Sequence, residues 1–336
     1  MRIVVTGGSG FIGWHVVQTA LRHGASVRVL VRSQAAAGRL QGTGAVPVYG
    51  DIATGAGLDS AFAGADAVFH VAAHYSLDRR DGPLIYRTNV DGTRHVLRAA
   101  QRAHVERLVY TSSTATVALD PSGRPADESR YADPDATGVD YKRSKILAER
   151  LVLAAAAEGF DAVVVNPSTP VGWGDVKPTP TGRLVRDALF GRLPAYVATG
   201  LNFVAVGDVA EGHWLALERG RRGERYILGH ENLTLAEFLS RVARLAGRRP
   251  PRIRLPWGVA WALAVLDEGL WTPLTGRPPR VPLAGVELAR RPHYFSAAKA
   301  VRELGLPQTP LDQAITEALA WFKNPYPAVM KGPVRE

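Results

Sequence analysis

The sequence predicts an α/β fold: a doubly wound parallel sheet followed by a smaller, mainly helical C-terminal region. Three observations carry this. Short apolar runs alternate with helical stretches through the first half, a glycine-spaced turn joins the first of each, and the texture changes after Asn166. Strands are expected at 2–6, 26–31, 46–49, 67–71, 107–112 and 161–166, with helices at 11–23, 56–63, 83–103 and 141–157. Such alternation is built from right-handed crossovers between parallel strands. Strands covered on both faces read as unbroken apolar runs, as Ala162-Val163-Val164-Val165 does. Pro167, Pro170, Pro178 and Pro180 then crowd a loop, and a short helix is expected at 183–190. A strand at 202–206, a helix at 208–219 and a strand at 224–228 return to the first pattern. From Thr234 to about Phe322 the chain reads as helices joined by proline-rich connectors at 250–256 and 272–282.

At 336 residues the chain can bury one large core or two smaller ones. It has no cysteine, which excludes disulfides, thiolate metal sites and thiol catalysis, and no metal site is expected. Met1 to Val5 run straight into a strand without the regions of a signal peptide, so a cytoplasmic protein is expected. No apolar run reaches the roughly 18 residues of a membrane span. The formal charge of +10 comes from scattered arginines with no block of like charge, so no nucleic-acid partner is expected. Attraction to anionic metabolites, or peripheral contact with a membrane, is compatible with that charge.

Gly7, Gly10 and Gly13 form a G-x-x-G-x-x-G turn between the first strand and the first helix. This is the context of a Rossmann-type dinucleotide cradle, in which the pyrophosphate approaches main-chain N–H groups at a helix N-terminus, here those of Phe11, Ile12 and Gly13. An acidic residue at the end of the second strand would hold the ribose 2′-hydroxyl of NAD. That place reads Leu30-Val31-Arg32-Ser33, and arginine suits a 2′-phosphate, so NADP(H) is expected over NAD(H). Asp51 and Ile52 after the third strand are placed to meet adenine, and Val71, Ala72 and Ala73 after the fourth leave room for a ribose. His70 beside them reads as a structural histidine. The expected division is an NAD(P)-binding domain of 1–166 plus about 202–230, and a substrate-binding domain of 167–201 plus about 231–325.

Tyr141 and Lys145 lie four apart on an expected helix and share a face. A phenol is a poor acid or base at neutral pH until a nearby cation favours phenolate, so Lys145 is expected to lower the Tyr141 pKa and to hold ribose hydroxyls. Thr111-Ser112-Ser113-Thr114 ends the preceding strand on the ligand-facing side, and Ser113 is chosen to polarise the substrate oxygen, with Ser112 its rival.

The set Thr6 to Gly13, Asp51, His70 to Ala73, Asn89 to Thr93, Tyr110 to Ser113, Tyr141 to Lys145 and Phe203 to Glu211 resembles the extended short-chain dehydrogenase/reductases, the NAD-dependent epimerase/dehydratase family. Within it the chain resembles the dihydroflavonol-reductase-like branch. It looks most like the hopanoid-associated sugar epimerases, through Asn166 to Gly172, Lys177 to Arg183, Pro194 to Val197 and Glu224 to Gly229. The resemblance implies that Asn89 helps position Lys145 or a relay water, that Pro167 and Ser168 line the nicotinamide, and that the chain dimerises through the helices at 83–103 and 141–157. Gly207 departs from the polar residue many relatives carry there. Thr114-Ala115-Thr116 stands where sugar dehydratases place an Asp-Glu pair, which argues against water elimination.

Substrate contacts are expected from Ser113, Thr114, Lys177 and Arg183. The aromatic stripe of Trp257, Trp261 and Trp271 reads first as packing of the second domain, and otherwise as an apolar wall or a surface that rests on a membrane. Asp267 and Glu268 argue against a span. The expected function is NADP(H)-dependent hydride transfer to or from a carbonyl or secondary alcohol of a small organic substrate. A sugar-nucleotide epimerase, linked to hopanoid or isoprenoid metabolism, is the alternative.

Overall fold

The computed structural model describes residues 1–277, 279 and 281–324. Positions 278 and 280 of the expected connector, and the expected domain end at about 325, lie outside the described residues. Strands β1 (Arg2–Thr6), β2 (Ser26–Val31), β3 (Val46–Tyr49), β4 (Ala67–His70), β5 (Arg107–Thr111) and β6 (Ala162–Pro167) alternate with helices α1 (Phe11–Arg22), α2 (Gln34–Gly38), α3 (Leu58–Phe62), α4 (Gly82–Tyr86), α5 (Gly92–Arg102) and α6 (Asp140–Ala157). The chain continues through β7 (Thr169–Val171), α7 (Pro180–Leu189), β8 (Ala195–Val197), β9 (Gly200–Ala205), α8 (Val206–Arg219), β10 (Arg225–Leu228), β11 (Glu231–Thr234), α9 (Leu235–Leu245) and β12 (Ile253–Leu255). Helices α10 (Trp257–Leu266), α11 (Thr272–Thr275), α12 (Leu283–Leu288), α13 (Ala298–Leu304) and α14 (Leu311–Lys323) follow.

The main sheet has seven parallel strands in the order β10-β6-β5-β4-β1-β2-β3. Chain order reverses between β1 and β4, so the C-terminal ends of these strands open the crevice in which such sheets bind ligands. Alternate side chains feed opposite faces: Ile3, Val5, Val27 and Val29 enter one core, and Val4, Val68, Leu108 and Val164 the other. Burial on both faces is why these strands carry unbroken apolar runs.

Two local departures matter. The helix expected at 83–103 is three pieces, α4, a π turn at Arg87–Asp91, and α5. The strand expected at 202–206 is β9, and it joins a separate three-stranded sheet, β11-β9-β7, rather than the main one. That small sheet shares a third core with α7, α9 and α14, in which Phe203 stacks on Phe238 at 4.0 Å. No helix among the described residues is long and apolar enough to cross a membrane.

Candidate active site

The glycine turn is fixed by contacts that a side chain would destroy. Gly7 has φ +74°, and a Cβ there would lie 2.6 Å from the backbone nitrogen of Ala72. A Cβ on Gly13 would lie 2.1 Å from the Gly7 carbonyl oxygen. The turn closes with Gly10 N–H donating to Gly7 at 2.9 Å, and α1 starts without a side-chain cap. Phe11, Ile12 and Gly13 therefore present N–H groups with no acceptor within the helix, beside its positive end. Val71 and Ala72 are half-buried against the turn and Ala73 is exposed at its rim. These residues fit a dinucleotide pyrophosphate. Gly13→Ala is expected to weaken nucleotide binding roughly 10- to 100-fold, since overpacking costs about 1–3 kcal/mol. Titration of intrinsic fluorescence checks this, and unchanged affinity would contradict it.

Arg32 is exposed at the end of β2. Sequence reasoning missed its companion: Arg39, just after α2, donates to the Ser9 carbonyl of the glycine turn at 3.2 Å. The signal was a second arginine seven positions after Arg32. Asp51 is half-buried, and its Oδ1 accepts the Ala53 N–H at 2.9 Å. Ile52 is buried, with its carbonyl held by His95 at 2.8 Å. His70 is the structural histidine expected, bonded to Thr6 at 2.8 Å and Thr93 at 3.1 Å. Burial drives its pKa down to about 3, with Lys145 adding to the effect, so it stays neutral.

Helix α6 buries a stripe that includes Ser144, Lys145, Ala148, Glu149, Val152 and Ala156. Two charged residues in such a stripe are exceptional. Lys145 Nζ donates to Tyr110 Oη at 2.8 Å and to the Thr111 carbonyl at 2.7 Å, and burial lowers its pKa to about 7. The hydroxyl that hydrogen-bonds Tyr141 is that of Ser113. Ser113 Oγ also accepts the Ala115 N–H at 3.1 Å. Its rival Ser112 is buried with no partner for its hydroxyl among the described residues.

One expectation is corrected here. Tyr141 was expected to be lowered by Lys145, yet burial pushes its pKa up to about 12, and only Ser113 works against that. The reason is geometric: Lys145 spends two of its donors on Tyr110 and Thr111 instead. Asn89, on the π turn, lies beside α6 as expected but does not bond Lys145. Its amide accepts from His74 N–H at 2.7 Å and donates to the His74 carbonyl and to Ser144 Oγ, both at 3.0 Å. Ser144 in turn donates to the Tyr141 carbonyl at 2.7 Å, so Asn89 fixes the first turn of α6.

Pro167 is buried at the end of β6, and Ser168 has a buried hydroxyl with no partner among the described residues. Thr114 is buried at the turn after β5. Tyr75, which sequence reasoning missed, meets Tyr141 edge-on with ring centroids 4.5 Å apart. Burial and then the Tyr141 phenol raise the Tyr75 pKa, and the charge of exposed Arg183 opposes them. Lys177 is exposed, and no contact joins it to Tyr141 or Ser113. Of the aromatic stripe, Trp257 packs as expected, half-buried and donating to the Val286 carbonyl at 3.0 Å, whereas Trp261 and Trp271 are exposed and the buried residues of α10 are Ala260 and Ala264.

Behind Ser113 lies a buried ionic network that sequence reasoning also missed. Arg225 Nε sits 3.0 Å from Glu149 Oε1, with both side chains almost fully buried. Glu149 Oε2 accepts from Thr116 Oγ1 at 2.7 Å and from Asn166 Nδ2 at 2.8 Å. Asn166 Nδ2 also donates to the Ser113 carbonyl at 3.1 Å. An arginine opening the fully buried edge strand β10, and a glutamate one turn after Lys145, were the available signals.

Comparison with known proteins is consistent across families, sequences and structures. The model of the NAD dependent epimerase/dehydratase family matches residues 3–229. The chain is 45% identical over 324 residues to a protein of Synechocystis sp. assigned by name to dihydroflavonol 4-reductase, covering 95% of this chain and 94% of that one. It is 37% identical to the 4-hydroxy-2-methyl-3-oxo-4-farnesyl-3,4-dihydroquinoline-1-oxide ketoreductase of Stigmatella aurantiaca, covering 91% of each. The crystal structure of gox2253 superposes with a TM-score of 0.85 at 40% identity, covering 98% of this chain and 99% of that one.

Proposed function

The chain belongs to the NAD-dependent epimerase/dehydratase family, the extended short-chain dehydrogenase/reductases, and on that premise we propose an NADP(H)-dependent reductase acting on a ketone, or the matching secondary alcohol, of an apolar substrate. The observation that carries this is the hydroxyl pair of Ser113 and Tyr141 beside buried Lys145. The nicotinamide dinucleotide, when bound, supplies or accepts the hydride. The turn from Gly7 to Gly13 holds its pyrophosphate, Asp51 and Ile52 its adenine, Val71 to Ala73 a ribose, and Pro167 and Ser168 its nicotinamide. Ser113 Oγ–H and Tyr141 Oη–H both donate to the substrate oxygen, and Tyr141 delivers the proton to it. Lys145, an ammonium with three donors of which two are used, has one left for ribose hydroxyls. Tyr75 and Arg183 border the substrate, with Thr114 behind Ser113. The farnesyl-bearing substrate in the name of the Stigmatella relative supports the apolar class. A homodimer, a cytoplasmic location and the two-domain division belong to the same reading.

A sugar-nucleotide epimerase is the second reading, favoured by exposed Arg183 beside Tyr75, which suits a diphosphate. Denaturing the purified protein and identifying the released nucleotide separates the two. An epimerase retains NAD between turnovers, whereas the reductase releases its cofactor and prefers NADPH in titrations. Replacing Arg32 and Arg39 by serine is expected to cost NADPH about 10- to 100-fold in affinity and NADH little, because charge-assisted pairs to a phosphate are worth about 1.5–3 kcal/mol. Equal losses for both nucleotides would refute the NADP(H) assignment.

A further inference from the structure

Helix α10 is built inside out. Its small residues Ala260 and Ala264 pack inward with Val286 of α12, while Val259, Leu263 and Leu266 form one exposed stripe and Trp261 is exposed on the opposite flank beside Trp257. The exposed face continues through Leu270, 58% exposed, and Leu274, 74% exposed. Single exposed leucines need no explanation, but a contiguous run of them over two turns and beyond marks an interaction surface. Charge on the same segment is mostly basic, with Glu287 its exposed carboxylate. Arg252, Arg254, Arg277, Arg290 and Arg291 are exposed, and none is ion-paired among the described residues. Asp267 and Glu268 are half-buried and accept the N–H groups of Val281 at 2.8 Å and Leu283 at 2.7 Å. They cap the connection between α10 and α12, and the five exposed arginines outnumber them and Glu287.

We infer that the α10–α11 face docks on anionic lipid bilayers, with Val259, Leu263, Leu266, Leu270 and Leu274 entering the acyl boundary and exposed arginines of the same segment pairing with lipid phosphates. Apolar residues flanked by arginine are the chemistry of an interfacial helix, and α10 has 10 residues, too few to span. The face lies one helix from the active-site mouth: Gly285 of α12 sits against Leu77, in the loop that carries Tyr75. The inference stands whatever the substrate is.

The test is co-sedimentation of the full chain with sucrose-loaded vesicles of phosphatidylglycerol in phosphatidylcholine, and of phosphatidylcholine alone. The wild type is expected to pellet with the anionic vesicles and to be released by salt. Two variants probe the two halves of the surface. Leu263→Gln with Leu266→Gln and Leu270→Gln, and separately Arg252→Gln with Arg254→Gln, are each expected to weaken partitioning by about tenfold or more. Wild type that stays in the supernatant at low salt overturns the inference, as does binding that both variants leave intact. Sedimentation velocity adds a third overturning result: a larger species that the leucine variant splits, with no vesicle binding, assigns the face to a second copy of the chain.

Discussion

Tyr141→Phe is expected to lower turnover about 10²- to 10⁴-fold while leaving NADPH affinity within about twofold, the range for loss of a positioned acid–base group. The phenol touches Ser113 and the edge of Tyr75, and its replacement keeps the ring and therefore the packing. With its pKa pushed up to about 12 by burial, Tyr141 is a protonated donor at neutral pH, which suits reduction of a ketone. The pH profile has a definite sign. Burial depresses the Lys145 pKa to about 7, so its charge is present below that value and lost as pH rises through it. For the free protein, kcat/KM for NADPH is therefore expected to fall above about pH 7. Stopped-flow or steady-state rates across pH check both statements. A Tyr141→Phe protein with near-normal turnover would remove the phenol from the mechanism.

Much of this was legible because local chemistry dictated it. The apolar runs of β1, β4, β5 and β6 read as strands covered on both sides, while β3 is a largely exposed edge, and the glycine turn needed residues without Cβ where Gly7 meets Ala72 and Gly13 meets Gly7. The spacing of Tyr141 and Lys145 gave a shared helix face. Other features had no local signature. The π turn at Arg87–Asp91 adds a residue to the helical turn without interrupting its composition, so one long helix was the natural reading. Whether β9 joined the main sheet depended on long-range pairing with β7 and β11. Lys145 shares the face of Tyr141, yet its ammonium turns to Tyr110 and Thr111, a choice set by acceptors on another strand. The aromatic stripe of α10 has helical period, but period alone does not say whether Trp261 or Ala260 faces inward.

Breaking the buried Arg225–Glu149 pair is expected to cost about 3–5 kcal/mol of stability, the penalty for leaving one buried charge without its partner. Arg225→Met strands the Glu149 carboxylate among Thr116 and Asn166, whose donors remain but whose balancing charge is gone. Arg225 also donates to the carbonyls of Glu128 at 3.1 Å and Thr116 at 3.3 Å, so its removal loosens the turn that begins at Ser113. The double replacement Arg225→Met with Glu149→Met is expected to be much less costly than the sum of the singles, because no uncompensated charge is left. Denaturant unfolding of the four proteins measures this coupling; additive losses would show that the pair does not act as a unit. Glu149→Gln carries a second consequence that simple destabilisation cannot mimic. The Glu149 charge raises the Lys145 pKa against burial, so its loss must lower that pKa further below about 7. The limb in the kcat/KM profile then moves to lower pH. An unmoved limb would mean that Lys145 is not the group titrating there.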